Sequence, residues 1–215
     1  MKSTLRKARK YHHENLRSSL LRAARSLLRD DGVQGLSLRL VARTAKVSHN
    51  APYHHFPEKS ALLAALAAEG FHELADTIAH EQESRASTRE WDKLMGVGAG
   101  YLRFAMENTA LFQMMFQTEI TQPSAHPELK VAERRAFGVL LTAIAELDAA
   151  GLLPPNRSQL AAAAFAWSAV HGLAMLHIAN VLAETPLEEI PFAEIVEQTL
   201  RLVILGIVAP DPPAR

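Results

Sequence analysis

Apolar residues in this chain recur at helical spacing and are parted by proline-bearing connectors, which leaves few folds open. Leu16, Leu20, Ala23, Ala24, Leu27 and Leu28 form one stripe, with Arg17, Arg22, Arg25 and Arg29 largely away from it. Valine and isoleucine do not alternate with polar residues, and no tight-hairpin signal sits between alternating runs, so strands are not expected. Gly32 follows the stripe where a glycine can take the left-handed conformation that ends a helix. Ser37 offers a hydroxyl to cap a second helix over about 38–45, and a short third element over about 48–55 runs into Pro57. Further helices are expected over about 58–83, 88–107, 108–117, 128–150, 158–183 and 192–208. The connectors "TQPSAHP", "GLLPPNR" and "ETPLEEIP" carry the prolines that end them. The expected class is all-α, with a disordered tail at 209–215.

Charge divides the chain in two. Residues 1–60 hold 13 Lys and Arg against 4 Asp and Glu, whereas residues 61–215 hold 10 against 19. A basic module on an acidic body predicts a polyanionic partner for the first part alone. At 215 residues the chain can bury a sizeable core, and the absence of cysteine excludes disulfides and thiolate metal sites. The opening "MKSTLRKARK" is basic with no apolar run behind it, so a secretory signal is not expected. From Gln159 to Ala183 there is no charged residue, a length that raises the question of a membrane span. Ser168, His171, His177 and Asn180 interrupt it, and its large side chains point all round a helix. The preferred reading is a helix packed on its own domain by one face and on a partner subunit by the other. Ala161 to Ala164 and Gly172 permit close approach.

Residues 37–55 read as helix, tight turn, helix. Leu38, Val41 and Ala42 point inward, Val47 plugs the turn, and the small Ala42 lets the two helices cross closely. The second helix begins near Ser48 and carries His49, Asn50, Tyr53 and His54; it is too short and polar to be stable alone. Such an element, presented by a packed helix, suits entry into a DNA major groove.

The stretch "YHHENLRSSLLRAARSLLRDDGVQGLSLRLVARTAKVSHNAPYHHFPEKSALLAALAAEGF", residues 11–71, resembles the DNA-binding domain of the TetR family of transcriptional regulators. The Gly32 break, Leu36-Ser37-Leu38, Val41-Ala42, Val47-Ser48, Tyr53-His54-His55-Phe56 and Lys59-Ser60-Ala61-Leu62-Leu63 all fall where that family places them. Further on, "FAWSAVHGLAML", with Trp167, His171 and Gly172, is similar to a TetR C-terminal domain type known for a Trp-His-Gly signature, and "NTALFQMMF" fits as well. The resemblance implies a basic arm at 1–10, a three-helix helix-turn-helix domain at 11–57, and a helical effector-binding and dimerisation domain at 58–208. It implies a cytoplasmic homodimeric repressor, released from a palindromic double-stranded DNA operator by a small molecule. It also carries dimerisation over to the helices at 128–150 and 158–183.

Residue roles follow. The family brings Tyr53 and Lys59 to the DNA backbone and turns residues 48–54 towards the groove. Lys59 would add an ammonium to the positive end of the helix it opens, making a phosphate site, so Lys59→Ala is expected to weaken all duplexes alike. The Tyr53 phenol can donate to a phosphate oxygen. Ser48, His49, Asn50 and His54 are candidates for base edges, an Asn amide being able to pair two-pronged with adenine. Ser37, Arg39 and Lys46 complete the expected DNA contacts, and Lys2, Arg6, Lys7, Arg9 and Lys10 would form an arm adding phosphate or minor-groove affinity. Two residues depart from the family pattern. Lys46 stands where glycine is usual, and a left-handed backbone there costs a non-glycine residue about 1 kcal/mol. Pro52 lacks an N–H and disfavours helical geometry at Ala51, so the recognition helix should start late or irregularly.

Tyr101, Phe104, Phe112, Met115, Phe116, Trp167, His171 and Met175 are the expected lining of the effector pocket, with Trp167, His171 and Met175 on one face of one helix. No catalytic site, metal site or cofactor is expected. GxSxG, HExxH and EF-hand patterns are missing, and "GVGAG" at 96–100 follows no strand, so close helix packing explains it. His54 and His55 are adjacent on a helix and point about 100° apart, which does not suit a shared ion. A metal sensor built on the same fold, using His171 or His177, is the alternative reading, and a helical enzyme is a more distant one.

Overall fold

A computed structural model describes residues 2–85 and 89–209, with side chains from residue 16 onward except those at 119 and 120. The helices are α1 (Lys2–Gly35), α2 (Leu38–Thr44), α3 (Lys59–Ser84), α4 (Glu90–Glu107), α5 (Thr109–Met115), α6 (Thr118–Thr121), α7 (Pro127–Ala149), α8 (Gln159–Ile178) and α9 (Phe192–Val208). Short 3-10 turns occupy Ala51–His54, Pro123–Ala125, Leu182–Glu184 and Pro186–Glu189. No strand occurs among the described residues. Helix α1 starts at Lys2, so the segment expected as an arm continues the helix; its side chains lie outside the described set, as does the tail at 210–215.

Two compact units emerge. The first comprises the residues up to Phe71 together with Ala110–Ala132, and the second comprises His72–Thr109 and the residues from Glu133 on. This division falls inside α3, and Ala110 to Met115 of α5, α6 and the first turn of α7 group with the helix-turn-helix. In the first unit the predicted stripe is the core: Leu20, Leu21, Ala24 and Leu28 of α1 are buried with Leu38, Val41 and Ala42 of α2, Leu62, Leu63 and Leu66 of α3, and Phe112, Met114 and Met115 of α5. In the second, Leu94, Val97 and Phe104 of α4, Ile144 and Leu147 of α7, Val170 and Ala174 of α8, and Leu200, Val203 and Ile204 of α9 are buried. The "GVGAG" run explains how close these helices come. A Cβ on Gly100 would lie 2.7 Å from the Ile78 Cα of α3, and one on Gly98 would lie 2.2 Å from the Leu200 side chain of α9.

Three helices end in the same way. At the close of α2, the Lys46 amide donates to the Arg43 carbonyl at 3.1 Å and the Val47 amide to the Ala42 carbonyl at 3.0 Å. Gly151 and Leu152 repeat this after α7, and Asn180 and Val181 after α8. This paired closure puts one residue in the left-handed region. Gly151 (φ 71°) and Asn180 (φ 57°) are residues that accept it readily, whereas Lys46 (φ 56°) is not. The closure at Asn180 also ends α8 at Ile178, short of the predicted 183.

Helix α8 is long and apolar enough to cross a membrane by length and composition, and only 33% of that window is buried. Its outward face carries Leu160, Phe165, Trp167 and Leu176, and α9 adds Leu202 and Leu205. Helix α7, nominated with α8 as a dimer element, exposes Val131, and further exposed apolar residues lie outside these helices at Tyr53, Leu152, Val181, Leu187 and Ile190.

Candidate nucleic-acid interface

Ser37 sits in the extended backbone region at φ −140° and its hydroxyl accepts the Leu40 amide at 3.2 Å, which starts α2. Leu38, Val41 and Ala42 face the core, so Arg39 and Arg43, four residues apart, stay exposed on one face. Arg43 is not among the contacts expected from the sequence, although that spacing places it beside Arg39. Lys46 is exposed at the turn and Val47 is half-buried beneath it.

The second helix of the motif is a 3-10 turn over Ala51–His54, not an α-helix beginning at Ser48. Pro52 is the physical reason, because it cannot donate into an α-helical ladder. The chain instead makes tighter bonds, Ala51 amide to Ser48 carbonyl at 3.0 Å and Tyr53 amide to Asn50 carbonyl at 3.2 Å. Pro52 and Phe56 are buried as its anchors, while Ser48, His49, Asn50, Tyr53 and His54 are exposed and His55 is half-buried. The Arg17 guanidinium lies 5.7 Å above the Phe56 ring and pairs with Glu128 at 3.4 Å. Lys59 behaves differently from its neighbours: its ammonium donates to the Val33 backbone carbonyl at 2.7 Å.

The eight residues expected to line an effector pocket divide between the units. Phe112, Met115 and Phe116 lie in the first, where Phe116 meets Phe71 and Phe112 edge-on at 5.5 and 5.0 Å. Tyr101, Phe104, Trp167, His171 and Met175 lie in the second. There the Trp167 indole N–H donates to the Tyr101 oxygen at 3.3 Å, and the Tyr101 hydroxyl and His171 Nδ1 share a hydrogen bond at 2.7 Å whose donor is set by the imidazole tautomer. Burial pushes the Tyr101 hydroxyl pKa well up and lowers that of His171, so both stay neutral near pH 7. Phe104, Phe112 and Met115 are fully buried core residues. None of the eight lines a groove of about 1020 Å³ between α4 and α9, whose floor includes Trp91, Met95 and Leu200 and whose rim includes Arg89, Arg201, Asp92 and Glu197. Among the described residues no three His, Asp or Glu side chains converge as a metal site.

A capped helix that holds a short, exposed, polar segment over an apolar support, on a chain with a second helical body, defines a helix-turn-helix regulator of transcription. The chain belongs to the TetR family: residues 94–203 match the tetracyclin repressor-like C-terminal domain, and residues 20–66 match the bacterial regulatory proteins of the tetR family. Members are DNA-binding transcriptional regulators rather than enzymes. An HTH-type transcriptional regulator of Mycobacterium tuberculosis is 24% identical over 139 residues, which span 64% of this chain and 59% of that relative's length. Among solved structures, a protein of unknown function from Rhodococcus sp. RHA1 is 30% identical with a TM-score of 0.77, covering 90% of this chain and 95% of that one. The TetR family transcriptional regulator PfmR from Thermus thermophilus shares the fold at 18% identity and a TM-score of 0.63, over 86% of this chain and 96% of its own.

Proposed function

We propose that this protein is a cytoplasmic homodimeric repressor that binds an inverted-repeat operator and is released from it by a small molecule. The observation that carries the reading is the exposed polar run Ser48, His49, Asn50, Tyr53 and His54, held by the buried Pro52 and Phe56. Ser48, His49, Asn50 and His54 read base edges; Tyr53, Arg39 and Lys46, with Ser37 and the newly noted Arg43, meet the backbone. A monomer reads one half-site, and two-fold symmetry makes the operator palindromic with half-sites about one helical turn apart. The exposed apolar faces of α8 and α9 supply the dimer contact, since they leave Leu160, Phe165 and Leu202 between 50 and 66% exposed in one chain.

The effector acts on the helical body, where the Trp167–Tyr101–His171 chain supplies fixed polar groups among aromatic side chains. A ligand that favours the form with misplaced reading segments lowers operator affinity by its differential affinity for the two forms. Calorimetry with candidate ligands, paired with operator titration, tests this. Ligands that bind the protein and leave operator affinity unchanged would refute the release mechanism.

A further inference from the structure

The groove between α4 and α9 lies apart from the Trp167–Tyr101–His171 chain, none of which lines it. Trp91, Met95 and Ala99 stand four residues apart and so share one face of α4, while Ala193, Val196 and Leu200 share one face of α9; together they make an apolar floor. Gly98 lets the two helices meet at Leu200, and the small Ala99 and Ala193 keep the space of about 1020 Å³ open. The α9 wall from Ala193 to Leu205 is about 18 Å long, at the rise of one helical residue per step. An apolar floor of this extent with a few polar groups at its edge has the form of a small-molecule site.

The rim holds guanidinium groups and carboxylates in equal number, and their partners decide what it can receive. Asp92 accepts from Arg89 at 2.7 Å, Glu197 accepts from Arg201 at 2.6 Å, and Arg85 pairs with Glu81 at 3.5 Å. Glu90 and Asp92 also stand in the first turn of α4, where the positive helix end complements a carboxylate. The donors are less used. Among the described residues, Arg201 spends one of its five N–H groups on Glu197 and Arg85 one on Glu81, and the Trp91 indole N–H has no partner. Both arginines are exposed, so water holds the remaining donors and a ligand oxygen can replace it. An ammonium head would instead compete with arginines already seated on Asp92 and Glu197. We propose that this groove binds a small anionic amphiphile: an apolar body lies on Trp91 and Met95, and a carboxylate, sulfonate or phosphate head is held by Arg201. This site is separate from the effector site proposed above and does not depend on the DNA-binding reading.

Anilinonaphthalene sulfonate and phenylnaphthylamine share one aromatic body and differ by the sulfonate, so the pair isolates the head group. The sulfonate should bind the wild-type chain about tenfold tighter, the gain expected from one charge-assisted bond. Arg201→Met should abolish that difference. Ala193→Phe adds bulk at an exposed lining position and should weaken both probes about tenfold. In a Trp167→Phe background Trp91 is the one indole left, and its emission should fall as either probe binds. If that background fails to fold, the two groove variants alone decide. Equal affinity of the wild-type chain for the two probes would overturn the anionic class. Binding that neither Arg201→Met nor Ala193→Phe alters would put the probes on other apolar surface and overturn the site, as would no binding of either probe. A dimer that falls apart in Ala193→Phe while probe affinity holds would give the groove to a second copy of this chain, and would equally overturn the proposal.

Discussion

Replacing Lys46 by glycine should make the protein more stable and a poorer DNA binder. Lys46 sits at φ 56°, where a side chain crowds the following carbonyl at a cost of about 1–2 kcal/mol. Glycine removes that crowding but enters folding with more freedom to lose, about 0.5–1 kcal/mol. The difference leaves a net gain of about 0.5–1 kcal/mol, which for a chain of this size is a rise in Tm of about 1–4 °C. The two backbone bonds that close α2, from Lys46 to Arg43 and from Val47 to Ala42, do not depend on the side chain and should survive. The chain contains its own controls, because Gly151 and Asn180 occupy the equivalent place after α7 and α8. Lys46→Asn should therefore also stabilise, whereas Lys46→Ala keeps the crowding and should not. All three lose the charge and should lower the salt slope of DNA binding by about 0.9. Thermal melts of the four proteins, with operator titrations at several salt concentrations, make the test. An alanine variant as stable as the glycine variant would refute the strain argument, and an unchanged salt slope would refute the phosphate contact.

Other outcomes follow from particular contacts. Asn50→Ala should relax preference at specific base pairs, by about 1–3 kcal/mol of discrimination, in a selection from randomised half-sites; Tyr53→Phe should weaken all sites alike. Leu202→Glu, on a side chain already 66% exposed, should yield a folded monomer by sedimentation with no loss of helix signal. Arg157→Ala removes a donor to the Ile207 carbonyl at 2.8 Å and to that of Gly206, and should lower stability by about 1 kcal/mol, with fraying at the end of α9 seen by hydrogen exchange. Burial holds the His171 pKa below its ordinary 6.5. Above that pH both folded and unfolded forms are neutral. Below it the unfolded chain takes the proton first, so stability should fall with pH until the folded form also titrates. His171→Gln should flatten this part of the stability profile.

Much of the first unit was legible because its signals are local. The stripe from Leu16 to Leu28, the glycine break and the Ser37 cap each act within a few residues, and α1 to α3 follow from them. Lys46 and Pro52 announced departures, and both came as backbone chemistry requires: a left-handed lysine and a 3-10 turn in place of an α-helix. What could not be read is whatever depends on distant neighbours. Sequence gives Lys59 its place at the start of α3 but not the Val33 carbonyl beside it. The grouping of α5 and the first turn of α7 with the DNA-binding module depends on contacts across tens of residues. Likewise, the polarity of α9 alone does not reveal that Leu202 and Leu205 point outward, as do Leu160, Phe165, Trp167 and Leu176 of α8. The aromatic residues were recognisable as a set, but which of them would bond to which was not. Only the packing of α4 on α8 brings Tyr101 to His171.

The most direct test of the account is selection of bound duplexes from a random DNA library at near-physiological salt. A dimer that presents two copies of the Ser48–His54 segment should enrich an inverted repeat with half-sites about 10 base pairs apart, centre to centre, or a multiple of that spacing. Enrichment of no sequence, with binding that vanishes at modest salt, would mean that contact is electrostatic only. That result would contradict the claim that this protein reads an operator.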